Sequence, residues 1–222
     1  MAMVRHDPGA ATGATPVRSA YAPVLPTGSA LGPPPPPHEV PQGTNVLGVL
    51  LICVADAMLL LAFLTAWWTI KAGSPAWPPG DVQVGTYIPS VITITAAMSC
   101  FSMAWAVSST RRNDQRSAAV ALILTAVFGI AVANAQWYTI ARENLVMESS
   151  AYATLFNLLT GWHLVHQSIA VGALVLVGAR ALAGHFGRKT YDPMRAVAAF
   201  WYYTVFAWGV IMTAMYLFSH HS

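Results

Sequence analysis

Residues 152–172 read YATLFNLLTGWHLVHQSIAVG, an apolar run that carries His163 and His166 three positions apart. An i, i+3 pair lies on one helical face. Tyr152, Phe156, His163, His166 and Ala170 keep helical spacing, so two aromatic rings, two imidazoles and a small residue form one stripe. Polar side chains at membrane depth are costly unless they face protein or trapped water. The stripe is therefore expected to face inward, with other segments covering it.

The rest of the chain supplies those segments. Apolar residues make up 56% of the 222 residues and charged residues 9%, where a soluble domain carries about 25%. So few charges cannot coat a globule, and the composition reads as an all-α membrane protein. Five apolar spans are expected, near Val46–Ile70, Tyr87–Val107, Ala118–Ile140, Tyr152–Ala183 and Val197–Phe218. Each reaches the roughly 20 residues that a bilayer-crossing helix needs. The fourth is longer, which implies tilt or protrusion. No alternating strand pattern of the membrane-barrel kind is present.

The net charge is +3, but the positive residues sit between apolar runs and read as orientation signals, not as a nucleic-acid surface. Arg5, Arg18, Arg111, Arg112, Arg116, Arg180, Arg188, Lys189 and Arg195 fall on the side of the N-terminus; Lys71 and Arg142 fall on the other. By the positive-inside rule the N-terminus is expected in the cytoplasm and the C-terminus outside. Residues 1–44 are rich in Pro, Gly, Ala, Thr and Ser, with five consecutive prolines at 33–37. That composition predicts a disordered, locally polyproline tail, more simply a tether than a docking arm, followed by a membrane domain over 45–222.

Few ionisable groups lie inside the spans: Asp56, His163 and His166, with Asn134, Gln136 and Asn157 as neutral polar companions. Asp56 shares a helix face with Cys53, Leu60 and Trp67. The plain reading of Asp56 is an inter-helix hydrogen bond to His163 or His166; the functional reading is a buried modulating acid. Both histidines on one helix argue against bis-histidine haem ligation. A copper or zinc site from Asp56, His163 and His166 is chemically allowed, since imidazole and carboxylate suit such ions. A proton-transport path calls for more polar groups along the membrane's depth. Cys53 and Cys100 are isolated within apolar runs and read as inert thiols. No phosphate loop or cofactor fingerprint occurs.

Tyr152, Thr160-Gly161, His163 and His166 together resemble the pattern YGSTFF-x-x-TGFHGLH of cytochrome c oxidase subunit III, without a gap. Weaker echoes follow in chain order. They are Asp56-Ala57-Met58, Trp77-Pro78-Pro79, Pro89 with Thr93, Thr95 and Ser99, then Gln136, and finally Phe200-Trp201 with Trp208. The resemblance spans about residues 45–219. The sequence departs from it where Asp56 replaces a Glu, Thr139 another Glu, and Tyr202 and Val205 a His and an Asp. The resemblance implies a five-helix, non-redox subunit with no metal on this chain, haem and copper lying in partner subunits. It also implies packing beside subunit I in a bacterial inner membrane, bound phospholipid and support of proton uptake. It further makes Asp56 a buried acid, with His163 its partner and His166 beside it. Gly161 becomes a close-packing position, Tyr152 and Gln136 packing residues, and Trp67, Trp68, Arg111 and Arg112 headgroup anchors. Two other readings remain: an accessory protein of nitric oxide reductase with the same fold, and a copper-bearing subunit of a membrane oxygenase built on Asp56, His163 and His166.

Overall fold

The computed structural model describes residues 41, 43–80, 82, 84–183 and 191–217. The expected tail over 1–44 lies almost wholly outside the described residues, as do His6, His38, His185, His220 and His221. The regular structure of the described residues is helical: α1 (Thr44–Gly73), α2 (Tyr87–Arg111), α3 (Gln115–Glu143), α4 (Ala151–Leu182) and α5 (Asp192–Met212), the last running on into a π-helical turn at Thr213–Leu217. All five are long and apolar enough to cross a membrane.

Local chemistry sets the ends. The Ser150 hydroxyl accepts from the Ala153 N–H and starts α4 one residue before the expected span. Asp114 caps α3 by accepting from the Ser117 N–H, and Asn144 closes it in the left-handed conformation that Asn tolerates. The expectation for α5 is off by several residues. That helix opens at Asp192 with Pro193 in its first turn, a polar start that a search for apolar runs passes over.

Helices α2, α3 and α4 pack in sequence, and α5 sits against α1, α2 and α4. It is therefore the most enclosed helix, whereas α1 is the most peripheral. Two apolar clusters fill the bundle. One gathers Trp67, Trp77, Tyr152, Phe156 and Tyr216 at the end where α1 stops and α4 begins. The other gathers Met103, Leu122, Leu174, Met194 and Trp201 toward the opposite end. Along α4 the level between them carries His163, His166 and Gln167.

Small residues and indole N–H groups fix the close contacts. A Cβ on Gly129 would stand 2.5 Å from the Trp201 ring and 2.7 Å from Val171, so only glycine leaves room for that indole against α3. The Trp201 N–H then donates to Ser99 Oγ at 3.0 Å, and the Trp208 N–H to Thr93 Oγ1 at 3.0 Å. Ser102 and Thr125 share a hydrogen bond between α2 and α3 at 2.8 Å. Thus the hydroxyls of α2 and the tryptophans of α5, separate motifs in the sequence, meet as one ladder.

Candidate functional site

The stripe on α4 faces inward as expected: Tyr152, Phe156, His163 and Ala170 are buried and His166 is partly buried. His163 is fully enclosed. The side-chain amide of Gln136 on α3 donates to its Nδ1 at 2.6 Å, and its Nε2–H donates to the Thr204 carbonyl of α5 at 3.0 Å. One accepting and one donating nitrogen define the neutral imidazole. Trp208 lies against the same ring at 5.2 Å between centroids. His163 is thereby a three-helix tie whose two nitrogens are both used within the protein.

His166 belongs to a second set of contacts. Its Nδ1–H donates to the Trp162 carbonyl at 2.8 Å, and its Nε2 lies 3.1 Å from Oδ1 of Asp56 on α1. The Tyr203 hydroxyl of α5 donates to Asp56 Oδ2 at 2.9 Å. With those donors assigned, a single proton is left for the axis between Asp56 and His166. It can sit on the imidazole beside a carboxylate, or on the acid beside a neutral imidazole. Both forms are neutral overall. The side chains of His166 and Asp56 keep 19% and 13% of their exposure, so the pair sits at the rim of the seam between α1 and α4, not in its centre.

The partner implied for Asp56 therefore changes. Both histidines share a face, but α1 meets α4 at the level of His166, while His163 points to α3 and α5. The Asp56, His163 and His166 triad of the oxygenase reading is not brought together, and the described residues hold no cluster of three His, Cys, Asp or Glu. Tyr203 was missed because it lies inside an aromatic run, next to Tyr202, which is exposed. Two other expectations also need correction. Trp67 is fully buried against Trp77 and Tyr152, with centroids at 4.9 and 5.3 Å, so it presents no surface to a headgroup; its neighbour Trp68 is exposed. Around Gly161 an added Cβ would meet nothing within 4 Å, so the close-packing glycine of this chain is Gly129. Thr139 turns its hydroxyl back to the Ala135 carbonyl of its own helix. Arg111 and Arg112 are exposed at the end of α2.

Residues 37–220 match the family model of cytochrome c oxidase subunit III. The chain belongs to the cytochrome c oxidase subunit III family. A relative named cytochrome c oxidase subunit 3 from Synechocystis is 26% identical over 182 residues, covering 81% of this chain and 78% of that protein. Another of that name from Thermostichus vulcanus is 21% identical over 183 residues, covering 81% and 90%. A third, from Marchantia polymorpha, is 26% identical over 177 residues, covering 76% and 66%. Within this family pattern the motif residues Tyr152, Thr160, His163 and His166 form the α4 face just described, Thr160 being buried with Tyr152 and His163.

Proposed function

We propose that this chain is the subunit III of a haem–copper terminal oxidase, a non-redox membrane subunit in aerobic respiratory electron transport. Family membership carries the reading. The names of the relatives do not favour a nitric oxide reductase accessory role, and the separation of His163 from Asp56 speaks against the oxygenase site. In this reading haem and copper belong to partner subunits, and the chain packs beside subunit I in a bacterial inner membrane.

Its own part is packing, retention of phospholipid and support of proton uptake through the Asp56–His166–Tyr203 group. Asp56 is the modulating acid, His166 shares its proton, and Tyr203 restrains the carboxylate from α5. His163, Gln136 and Tyr152 keep the helices in register around it. The excess of arginine at the end that holds Arg111, Arg112, Arg116, Arg180 and Arg195 supports a cytoplasmic N-terminus. Trp68 and the Arg111–Arg112 pair serve as surface anchors at opposite ends, and the segment before α1 as a tether. The test is turnover of the oxidase purified from cells with and without this chain. The proposal expects oxygen reduction to begin normally without it and then to decay faster, or to lose proton uptake. Unchanged durability and proton uptake would overturn it.

A further inference from the structure

Of the neutral amides inside the spans, two are accounted for. Gln136 donates to His163, and Asn157 donates to the Leu145 and Ala153 carbonyls. Asn134 is different: it is exposed on α3 and has no hydrogen-bond partner among the described residues. Exposed hydroxyls elsewhere in the spans find an acceptor one turn back, as Thr65 does at Leu61 and Ser168 at Leu164. Helix α3 runs from Gln115 to Glu143, 29 residues, so it is about 43 Å long against an apolar slab of roughly 30 Å. Asn134 stands about 14 Å from the Glu143 end, hence about 7 Å inside the slab when the helix is centred. There its amide, both donor and acceptor, faces acyl chains that can satisfy neither function.

The residues around Asn134 say what kind of surface this is. Val120, Ile123, Val127, Ile130, Asn134 and Trp137 follow one another at alternating spacings of three and four. The five apolar members are 55% to 64% exposed, so nothing in this chain covers the stripe. Alternation of three and four is the seam of a left-handed helix pair, the crossing that most membrane bundles use. A lone Asn on such a seam fixes its register.

We propose that α3 is a self-association helix and that the occupant of this stripe is α3 of a second copy of the chain. Two copies inserted in the same direction run their α3 helices parallel and at equal depth. About a two-fold axis along the membrane normal, Asn134 therefore meets Asn134 of the other copy. An amide is complementary to itself: the NH2 group of one copy donates to the side-chain carbonyl of the other. A different subunit would need a polar side chain at that same height, whereas symmetry supplies one without further conditions. The pair is the hydrogen-bonded centre of an otherwise apolar contact. This inference rests on α3 crossing the membrane, goes beyond the oxidase reading, and does not involve the Asp56 group.

The experiment uses the full-length chain in phosphatidylcholine bilayers, half of the copies carrying a fluorescent donor and half an acceptor. The expected result is energy transfer that persists on dilution with lipid. Asn134→Leu should weaken the association roughly three- to thirtyfold, and Asn134→Gln, which keeps the amide, should restore most of it. Val127→Cys should form a disulfide between copies, whereas Leu61→Cys, equally exposed on α1, should not. The unfolding temperature of the monomer in dilute detergent should be the same for Asn134→Leu and the wild type. Absence of transfer in the wild type, or equal transfer in Asn134→Leu, overturns the proposal. Equal crosslinking at the α1 position overturns it by showing crowding alone, and a lowered monomer unfolding temperature by placing the amide's role inside the chain. Crosslinking of Val127→Cys in native membranes to a different chain only also overturns it. Failure to co-purify with haem–copper subunits would sink the oxidase reading and leave the dimer standing, so the two failures are distinct.

Discussion

At the scale of single residues, the account rests on which nitrogen carries which proton. His163 spends both nitrogens on Gln136 and Thr204, so it can neither pair with Asp56 nor bind an ion without breaking a tie between helices. Replacing Gln136 by Leu leaves Nδ1 of a fully buried imidazole without a donor. A buried acceptor stranded in that way costs about 1–3 kcal/mol, which should appear as a lower unfolding temperature in detergent. Asp56 behaves differently, because Asn can still accept from Tyr203 and still donate to a neutral His166. Asp56→Asn should therefore leave the bundle assembled, while Tyr203→Phe removes the clamp from α5. The Asp56 carboxyl and the Tyr203 hydroxyl share a 2.9 Å contact, so a double-mutant cycle of Asp56→Ala with Tyr203→Phe should give a coupling of about 0.5–1.5 kcal/mol. Additive effects would mean the hydroxyl and the carboxylate act independently. The identity of the acid's partner was not legible in the sequence. Two histidines on one face look alike until the height of α1 against α4 is known.

At the scale of elements, the helices were easier to read than their contacts. The span of α4 was legible to within a residue at each end, because apolar length and capping chemistry agree there. Helix α5 was not, since its first turn is polar. Burial of Trp67 was invisible for another reason: only the fold of the 74–86 connection brings Trp77 back across it. The same holds for the two glycines, whose role depends on what stands opposite. Gly129→Ala forces the Trp201 ring and Val171 to move and should destabilise by about 1–3 kcal/mol, whereas Gly161→Ala should stay within about 0.5 kcal/mol. Comparing the two variants by thermal unfolding checks the assignment. At the start of α3, hydrogen bonds from Ser117 hold the Asp114 carboxyl below its ordinary value. A depressed carboxyl stabilises the fold above its unfolded pKa, and that contribution is lost as pH falls through the folded value. Protection factors at the first turn of α3, that is exchange rates taken relative to the intrinsic rate at each pH, should fall on acidification in the wild type and stay level in Asp114→Asn.

At the scale of the whole molecule, five helices enclose a neutral polar level between two apolar clusters, and the peripheral helix carries the acid. The family was legible because one segment holds Tyr152, Thr160, Gly161, His163 and His166 in unbroken register. The hydrogen-bonded group around the acid was not, because it depends on three helices meeting: Asp56 from α1, His166 from α4 and Tyr203 from α5. A subunit without its own redox centre has meaning only in its assembly. The most direct measurement is gentle purification of the tagged chain from its native membrane, with co-purifying chains identified and haem read from the optical spectrum. An oxidase subunit III brings down a haem–copper subunit in equal amount, with the haem and copper on that partner. Recovery of the chain alone, or with stoichiometric metal on itself, would contradict it.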